Sequence, residues 1–342
     1  MRKALRIVLW LLAVLVVVGA AWAFYLYASA GQLRDLEERS IGACQVVDGA
    51  PGPEDLAVDR ARAIALISAD DRRSGGGGAI YAYDLEAGGE PWSLTPGREG
   101  FHPHGLSLLE ANGQSILMVV DHPPAGDSVE VFRWDGSALE PLRTVTDPLL
   151  YNLNDVAALD ARRFYATNDH GVSAEHEARE DYLRRRRANV VYWDGERARV
   201  VADRIGYANG IAVSEDQREV YVASTTFGKI LVYDRDEDSG GLVLRKEIAL
   251  DTGVDNFALD LYGGLWVAAH PHLLTFAGHA RDPAKRSPWE VLWVDPSGQA
   301  EPSIRPVMLS LGEQLSGASV AVPWGDKLVI GSVFEHLLIC QR

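Results

Sequence analysis

One short pattern occurs six times along this chain: a polar pair, a short apolar run, a turn, and a second apolar run. The copies open at Glu54-Asp55-Leu56-Ala57-Val58, His104-Gly105-Leu106-Ser107-Leu108, Asn154-Asp155-Val156-Ala157-Ala158, Asn209-Gly210-Ile211-Ala212-Val213, Asp255-Asn256-Phe257-Ala258-Leu259 and Gly317-Ala318-Ser319-Val320-Ala321. Second runs follow, such as Ala63 to Ile67, Ile116 to Val120, Val220 to Ala223 and Leu328 to Ile330. A period of roughly 40 to 60 residues built from strand pairs predicts an all-β fold, a six-bladed β-propeller. Further strand-sized runs lie at Ala79 to Leu85, Val129 to Trp134, Val190 to Trp193, Lys229 to Tyr233 and Glu290 to Val294. Many alternate apolar with polar residues, as half-buried antiparallel strands do.

The first residues belong to something else. Arg2, Lys3 and Arg6 precede an uncharged stretch from Ile7 to Leu33. Ile7 to Tyr27 alone is long enough to cross a bilayer. The basic residues before it favour a cytoplasmic N-terminus. We therefore expect a signal anchor over residues 1–30, a stalk or short exposed helix over 31–43 with Leu33 and Leu36 on one side, and a propeller over 44–342. The alternative is a signal peptide cleaved near Ala28-Ser29-Ala30, although the apolar stretch exceeds an ordinary signal core. Either way the propeller is exported, to the periplasm or the cell exterior. The net charge of −15 excludes nucleic acid as the main partner. Two cysteines, Cys44 and Cys340, flank the propeller. In an exported closed ring they either form a disulfide that locks the chain ends together or stay as two buried thiols.

In a propeller the innermost strands run along a central tunnel, so the repeat openings converge on one mouth. The next strands return antiparallel and end at the same rim. Those ends read Asp70-Asp71, Asp121-His122, Asp169-His170, Thr225-Thr226, His270-Pro271 and Val333-Phe334. Around the axis stand Glu54, Asn154, Asn209, Asp255 and Asn256. This set offers only oxygen, which suits Ca²⁺ and not zinc. Asp55 and Asp155 alternate away and reach a second cation deeper in the tunnel, with the Leu106 carbonyl completing that shell. The competing reading is a water-filled tunnel of hydrogen-bonded polar side chains. His104 and His122 meet at one blade's rim. Beside a cation such a pair can relay a proton from water. Alone, each is a polar capping residue. His170 and His270 hold equivalent strand ends. The rim aromatics Phe101, Tyr207 and Phe334 line a pocket or merely pack. Between Val172 and Asn189 the pattern turns helical, as a lid or as a solvated surface helix. It ends in Arg184 to Arg187, a run that is solvated or touches anionic lipid.

These residues carry a resemblance. The chain resembles the paraoxonase/arylesterase family of six-bladed propellers, through Pro53-Glu54-Asp55, Pro103-His104-Gly105, Val119-Val120-Asp121-His122-Pro123, Asn152-Leu153-Asn154-Asp155, Tyr165-Ala166-Thr167-Asn168-Asp169-His170, Ala208-Asn209-Gly210, Val254-Asp255-Asn256 and Gly331-Ser332-Val333-Phe334. The resemblance implies a central tunnel holding two calcium ions. Glu54, Asn154, Asn209, Asp255 and Asn256 would hold the catalytic ion; Asp55, Asp155 and the Leu106 carbonyl would hold the structural one. It makes His104 and His122 a catalytic dyad, places Asp169 near the site, and pairs Cys44 with Cys340. It implies hydrolysis of lactones and aryl esters, with a small-molecule substrate and a membrane tether through the N-terminal helix. Two departures stand out. Asp121 replaces a family Asn, which puts a negative charge beside His122 and raises that histidine's pKa. The Arg184 to Arg187 segment is far more basic than an apolar lid. A non-catalytic calcium-stabilised binding propeller and a gluconolactonase-type sugar lactonase are the competing functions.

Overall fold

The computed structural model describes residues 2–111, 113–171, 176–297 and 302–342 and arranges six four-stranded antiparallel sheets as blades. The innermost strands are Pro53–Asp59, Pro103–Ala111, Leu153–Ala158, Ala208–Val213, Gly253–Leu259 and Ala318–Trp324. Each pairs with the strand that follows it, so the six openings and the six return ends share one rim. That is the geometry the repeat predicts.

The second strands explain why their sequences are almost continuously apolar. Every residue of Ile64–Asp70 is buried. Ala65, Ile67 and Ala69 pack toward blade six, whereas Ile64 and Leu66 pack toward blade two. A strand covered on both faces has no solvent face to mark with polar residues. Six such apolar clusters result, each shared by two neighbouring blades. Each fully buried Leu or Ile in them contributes about 2 kcal/mol through removal from water.

Blade six closes the ring. Its strands run Ala318–Trp324, Lys327–Ser332 and Leu337–Gln341, and the outermost is Cys44–Val47 from the other end of the chain. Cys44 lies directly opposite Cys340 in that pairing, and the two form a disulfide across a sequence separation of 296. A cross-link closing so long a loop stabilises by about 5 kcal/mol on the chain-entropy view.

Among the described residues three α-helices lie outside the blades: α1 (Arg2–Ser29), α2 (Glu177–Tyr182) and α3 (Leu273–Arg281). α1 is long and apolar enough to cross a membrane, and none of its residues is buried. Its last turns dock on the propeller rim. Trp22 Nε1 donates to the Tyr182 carbonyl at 3.1 Å, and the Leu273 amide donates to the Ala30 carbonyl at 3.0 Å. Of the two readings of residues 31–43, stalk or short helix, the helix does not form. Gly31 adopts a left-handed φ of 76° and ends α1, and a Cβ there would lie 2.0 Å from the Pro271 carbonyl oxygen. The chain then lies along blade five. Arg34 forms a bidentate pair with Glu290 at 2.6 and 2.8 Å, and Arg39 bridges to Leu309.

Candidate active site

In every blade the first strand loses register with the second at the repeat opening. The breaks fall between Pro53 and Asp55, Pro103 and Leu106, Leu153 and Val156, Ala208 and Ile211, Val254 and Phe257, and Ala318 and Val320. A bulge inserts a residue and re-aims side chains. Here it delivers Glu54, Asn154, Asn209, Asp255 and Asn256 to the axis, all of them buried. The blades approach closely at this level. A Cβ on Gly105 would lie 2.3 Å from Asp155 Oδ1, so only glycine fits there.

The upper ring holds oxygens with nothing to bind. Asn256 Nδ2 donates to Glu54 Oε1 at 2.8 Å. Glu54 Oε2, Asn154 Oδ1, Asn209 Oδ1 and Asn256 Oδ1 are buried without a hydrogen-bond partner among the described residues. An unpaired buried oxygen is costly, and natural proteins rarely tolerate several together. Burial also pushes the Asp255 carboxyl above its ordinary pKa, with Glu54 adding repulsion, against the opposing hydrogen bond of His270. Burial opposes ionisation of Glu54 too, but His104 and Arg72 hold its pKa below the usual value. A hard divalent cation would satisfy both the orphaned oxygens and the excess negative charge.

The lower ring is built differently. Asp55 Oδ1 and Oδ2 accept the amides of Leu56 and Leu106, both at 2.8 Å. Asp155 Oδ1 and Oδ2 accept the amides of Val156 at 2.7 Å and Ile211 at 2.8 Å. Each carboxylate thus joins its own blade to the next. Burial, and for Asp55 repulsion from Asp155 and Glu54, pushes both carboxyls well above the usual range.

The two histidines do meet. His104 Nδ1 lies 2.9 Å from His122 Nε2, and His104 Nε2 lies 3.6 Å from Glu54 Oε1. The chain continues beyond the dyad. His122 Nδ1 is 2.9 Å from Asp127 Oδ1, and Asp127 Oδ2 accepts the Leu153 amide at 2.8 Å. His270 Nε2 bonds Asp255 Oδ2 at 2.8 Å, and its ring stacks on Phe276 with centroids 3.7 Å apart.

A cavity of about 600 Å³ covers the upper ring. Glu54, His104, Asn154, Asn209 and Asp255 form its floor. Its walls include Leu26 and Tyr27 of α1, Tyr182 of α2, Phe276 of α3, Tyr207 and Phe334. Tyr207 holds a left-handed φ of 52°, which is unusual for a bulky residue and puts local strain at the site. The arrangement combines a cation-ready oxygen ring, an imidazole pair and an apolar enclosure. That is what is needed to polarise a carbonyl and activate water beside it.

Sequence comparison agrees. The family described as Arylesterase matches residues 51–342.

The chain belongs to the arylesterase family.

Serum paraoxonase/arylesterase 1 of Rattus norvegicus is 36% identical over 246 residues, covering 70% of this chain and 68% of the relative. The Homo sapiens protein of the same name is 33% identical over 331 residues, covering 90% and 91%. Among solved structures, a gluconolactonase from Xanthomonas campestris superposes with a TM-score of 0.56 at 16% identity, covering 89% of this chain and 91% of that one, a likeness of fold. The chain is therefore an ester hydrolase of the arylesterase family, as the repeat residues led us to expect.

Within this arylesterase fold some expectations change. Asp121 lies near enough to His122 for their charges to interact, but its hydrogen bond goes elsewhere. Its Oδ1 accepts the His102 amide at 2.8 Å, and burial together with nearby Glu130 raises its pKa despite that bond. The acid that touches His122 is Asp127, which the sequence reading missed. Its signal was present: an acidic residue just past the Pro123-Pro124-Ala125-Gly126 turn that follows the strand-end histidine. Phe101 does not line the cavity; it is buried between blades one and two under the Arg98 guanidinium. Tyr207 and Phe334 do line it. The helical interruption forms α2 and walls the cavity, as a lid would; residues 172–175 at its start lie outside the described residues. Arg184 is not simply solvated. It lies over the Phe227 ring at 4.3 Å and donates to Ser29 Oγ at 3.2 Å, tying α1 to the rim. Arg186 lies over the same Phe227 ring. α3 was not foreseen. The long insertion after His270 was its only sequence trace.

Asp169 and His170 form part of the wall behind the ring. His170 Nδ1 contacts Asp169 Oδ1 at 2.8 Å and Nε2 contacts Asp181 Oδ1 at 3.3 Å. Burial alone would lower the imidazole's pKa, but the two carboxylates override it and push it up to about 10. The ring also meets Tyr207 edge-on. This is a charged pin between α2 and blade three. Asp169, His170 and Glu177 lie close enough to share a cation, but both ring nitrogens are already engaged by carboxylates.

Proposed function

We propose that the enzyme is a calcium-dependent hydrolase that opens lactones and cleaves aryl esters in the cavity above the upper ring. The observation that carries this is the set of buried oxygens of Glu54, Asn154 and Asn209, without a hydrogen-bond partner among the described residues, at the floor of a largely apolar cavity, with Asn256 Oδ1 likewise unpartnered and an imidazole at the cavity's edge. Glu54, Asn154, Asn209, Asp255 and Asn256 would hold a catalytic Ca²⁺. When bound, that ion supplies Lewis-acid polarisation of the scissile carbonyl. Asp55, Asp155 and the Leu106 carbonyl would hold a second, structural Ca²⁺ between blades.

His104 takes a proton from the attacking water, with His122 behind it. The water oxygen bonds to the acyl carbon, the bond to the leaving alkoxide breaks, and the proton returns to that alkoxide. His270 orients Asp255 through their hydrogen bond. Asp169 and His170 hold α2 against the cavity. The aromatic and aliphatic walls exclude water and suit an acyl chain or aryl ring. We further infer that α1 anchors the enzyme with its basic end in the cytoplasm and the propeller exported, which accords with the disulfide.

A panel of lactones, aryl esters and phosphotriesters, assayed with calcium and after exhaustive chelation, tests the reading. Turnover of lactones and aryl esters that vanishes on chelation and returns with calcium is expected. Undiminished hydrolysis after chelation, or no turnover of any substrate, would overturn it.

A further inference from the structure

We propose that Asp127 is the positioning residue that fixes the tautomers of the histidine pair, and thereby makes His104 Nε2 the basic nitrogen facing the cavity. The proposal rests on the reading of His104 as the proton acceptor, and it adds what sets that role. Asp127 does not line the catalytic cavity. It lines a separate cleft on the blade's flank together with Asp121, so it acts only through His122.

The geometry leaves little freedom. The Leu153 amide anchors Asp127 Oδ2 at 2.8 Å, which aims Oδ1 at His122 Nδ1 from 2.9 Å. Burial opposes ionisation of Asp127, but the hydrogen bond and charge of His122 and the Leu153 amide keep its pKa below the usual value. An ionised carboxylate only accepts. His122 Nδ1 must therefore carry a proton, and Nε2 is left as an acceptor. His104 Nδ1, 2.9 Å away, must then donate, and the lone pair of His104 falls on Nε2.

The opposite order is disfavoured. It would set an unprotonated His122 Nδ1 against a carboxylate at 2.9 Å, two lone pairs facing each other. Its only compensation would be a His104 Nε2 proton directed at Glu54 Oε1 from 3.6 Å, beyond ordinary hydrogen-bond range. The short contact prevails over the long one. Once His104 takes the proton from water, Asp127 also offsets the positive charge shared with His122. That proton returns to the leaving alkoxide, so the chain ends as it began. This logic is how a carboxylate orients a catalytic imidazole in general; here it acts through two rings.

Two substitutions separate positioning from mere support of the loop. Asp127→Asn keeps an oxygen for the Leu153 amide and turns an NH₂ toward His122, which forces the reversed tautomers. Asp127→Ala removes both contacts. Positioning predicts that Asp127→Asn is the harsher: a fall in kcat of roughly 100-fold or more, against roughly 10-fold for Asp127→Ala, each with KM within about threefold. A supporting role predicts the reverse order, and that order would overturn the proposal. A second readout needs no turnover. Nitrogen-15 NMR of the calcium-loaded protein should show both His104 and His122 protonated on Nδ1, with the pattern reversed in Asp127→Asn. A wild-type His122 protonated on Nε2 would overturn the proposal. Because the tautomers are read without substrate, a failure of the hydrolase reading leaves this result intact.

Discussion

Glu54 and Asp55 are neighbours in sequence, as are Asn154 and Asp155, yet they live in opposite surroundings. The upper residues open into the cavity, and three that line it, Glu54, Asn154 and Asn209, each carry a buried oxygen without a hydrogen-bond partner among the described residues. The lower carboxylates line the cleft at the other end of the tunnel, and all four of their oxygens accept backbone amides. Two of those amides, Leu106 and Ile211, come from the adjoining blade. The upper ring keeps its valence for a ligand, whereas the lower ring uses one lone pair of each carboxylate oxygen to join blades and keeps the others for the second cation. Adjacent residues of like chemistry therefore serve chemistry in one case and assembly in the other.

The sharpest attack on this contrast is Glu54→Gln. The amide retains an oxygen for Asn256 but removes a charge from the upper ring. We expect kcat to fall about 10³-fold, the scale of losing a major stabiliser of the developing oxyanion, with the melting temperature little changed. Steady-state kinetics and calorimetry check it, and retention of a tenth of the activity would break the contrast. Asp155→Asn should behave the opposite way. Its NH₂ must face the Val156 or the Ile211 amide, so one buried donor loses its acceptor. We expect a stability loss of about 3 kcal/mol in urea unfolding, with kcat at saturating calcium within about threefold. A catalytic collapse without destabilisation would show the lower ring to be catalytic.

The smallest effect belongs to the wall, outside both rings. The His170 imidazole has a folded pKa of about 10, against 6.5 unperturbed. A raised pKa contributes stability in full below about 6.5, and loses it as pH rises through about 10. His170→Gln should therefore destabilise by about 2 kcal/mol at pH 7, and the gap from wild type should close toward pH 10. Thermal unfolding at the two pH values checks it; a gap that does not narrow would mean that His170 acts by shape rather than charge.

Much of this was legible because the repeat states its own geometry. Polar residues at the start of five of the six inner strands gather at a tunnel mouth, so Glu54, Asn154, Asn209, Asp255 and Asn256 could be named together. Antiparallel return then places His122 beside His104. Cys44 and Cys340 meet because a ring must close. The rest depended on features that a linear reading does not encode. The register breaks at the pairs decide which member faces the cavity and which meets an amide. The direction of Asp121 follows from strand alternation, and that of Asp127 from a turn geometry that sets an acid five residues on against its histidine. α3 has no repeat counterpart, and Phe101 could equally have lined or packed until its neighbours were known.

Calorimetric titration of calcium into chelator-stripped wild type and Glu54→Gln protein decides whether the upper ring is a calcium site separate from the lower one. Two classes of site are expected in the wild type, with one lost selectively in Glu54→Gln and the other unchanged. Absence of calcium binding in the wild type, or equal weakening of every site in the variant, would show that the two rings are not separate calcium sites.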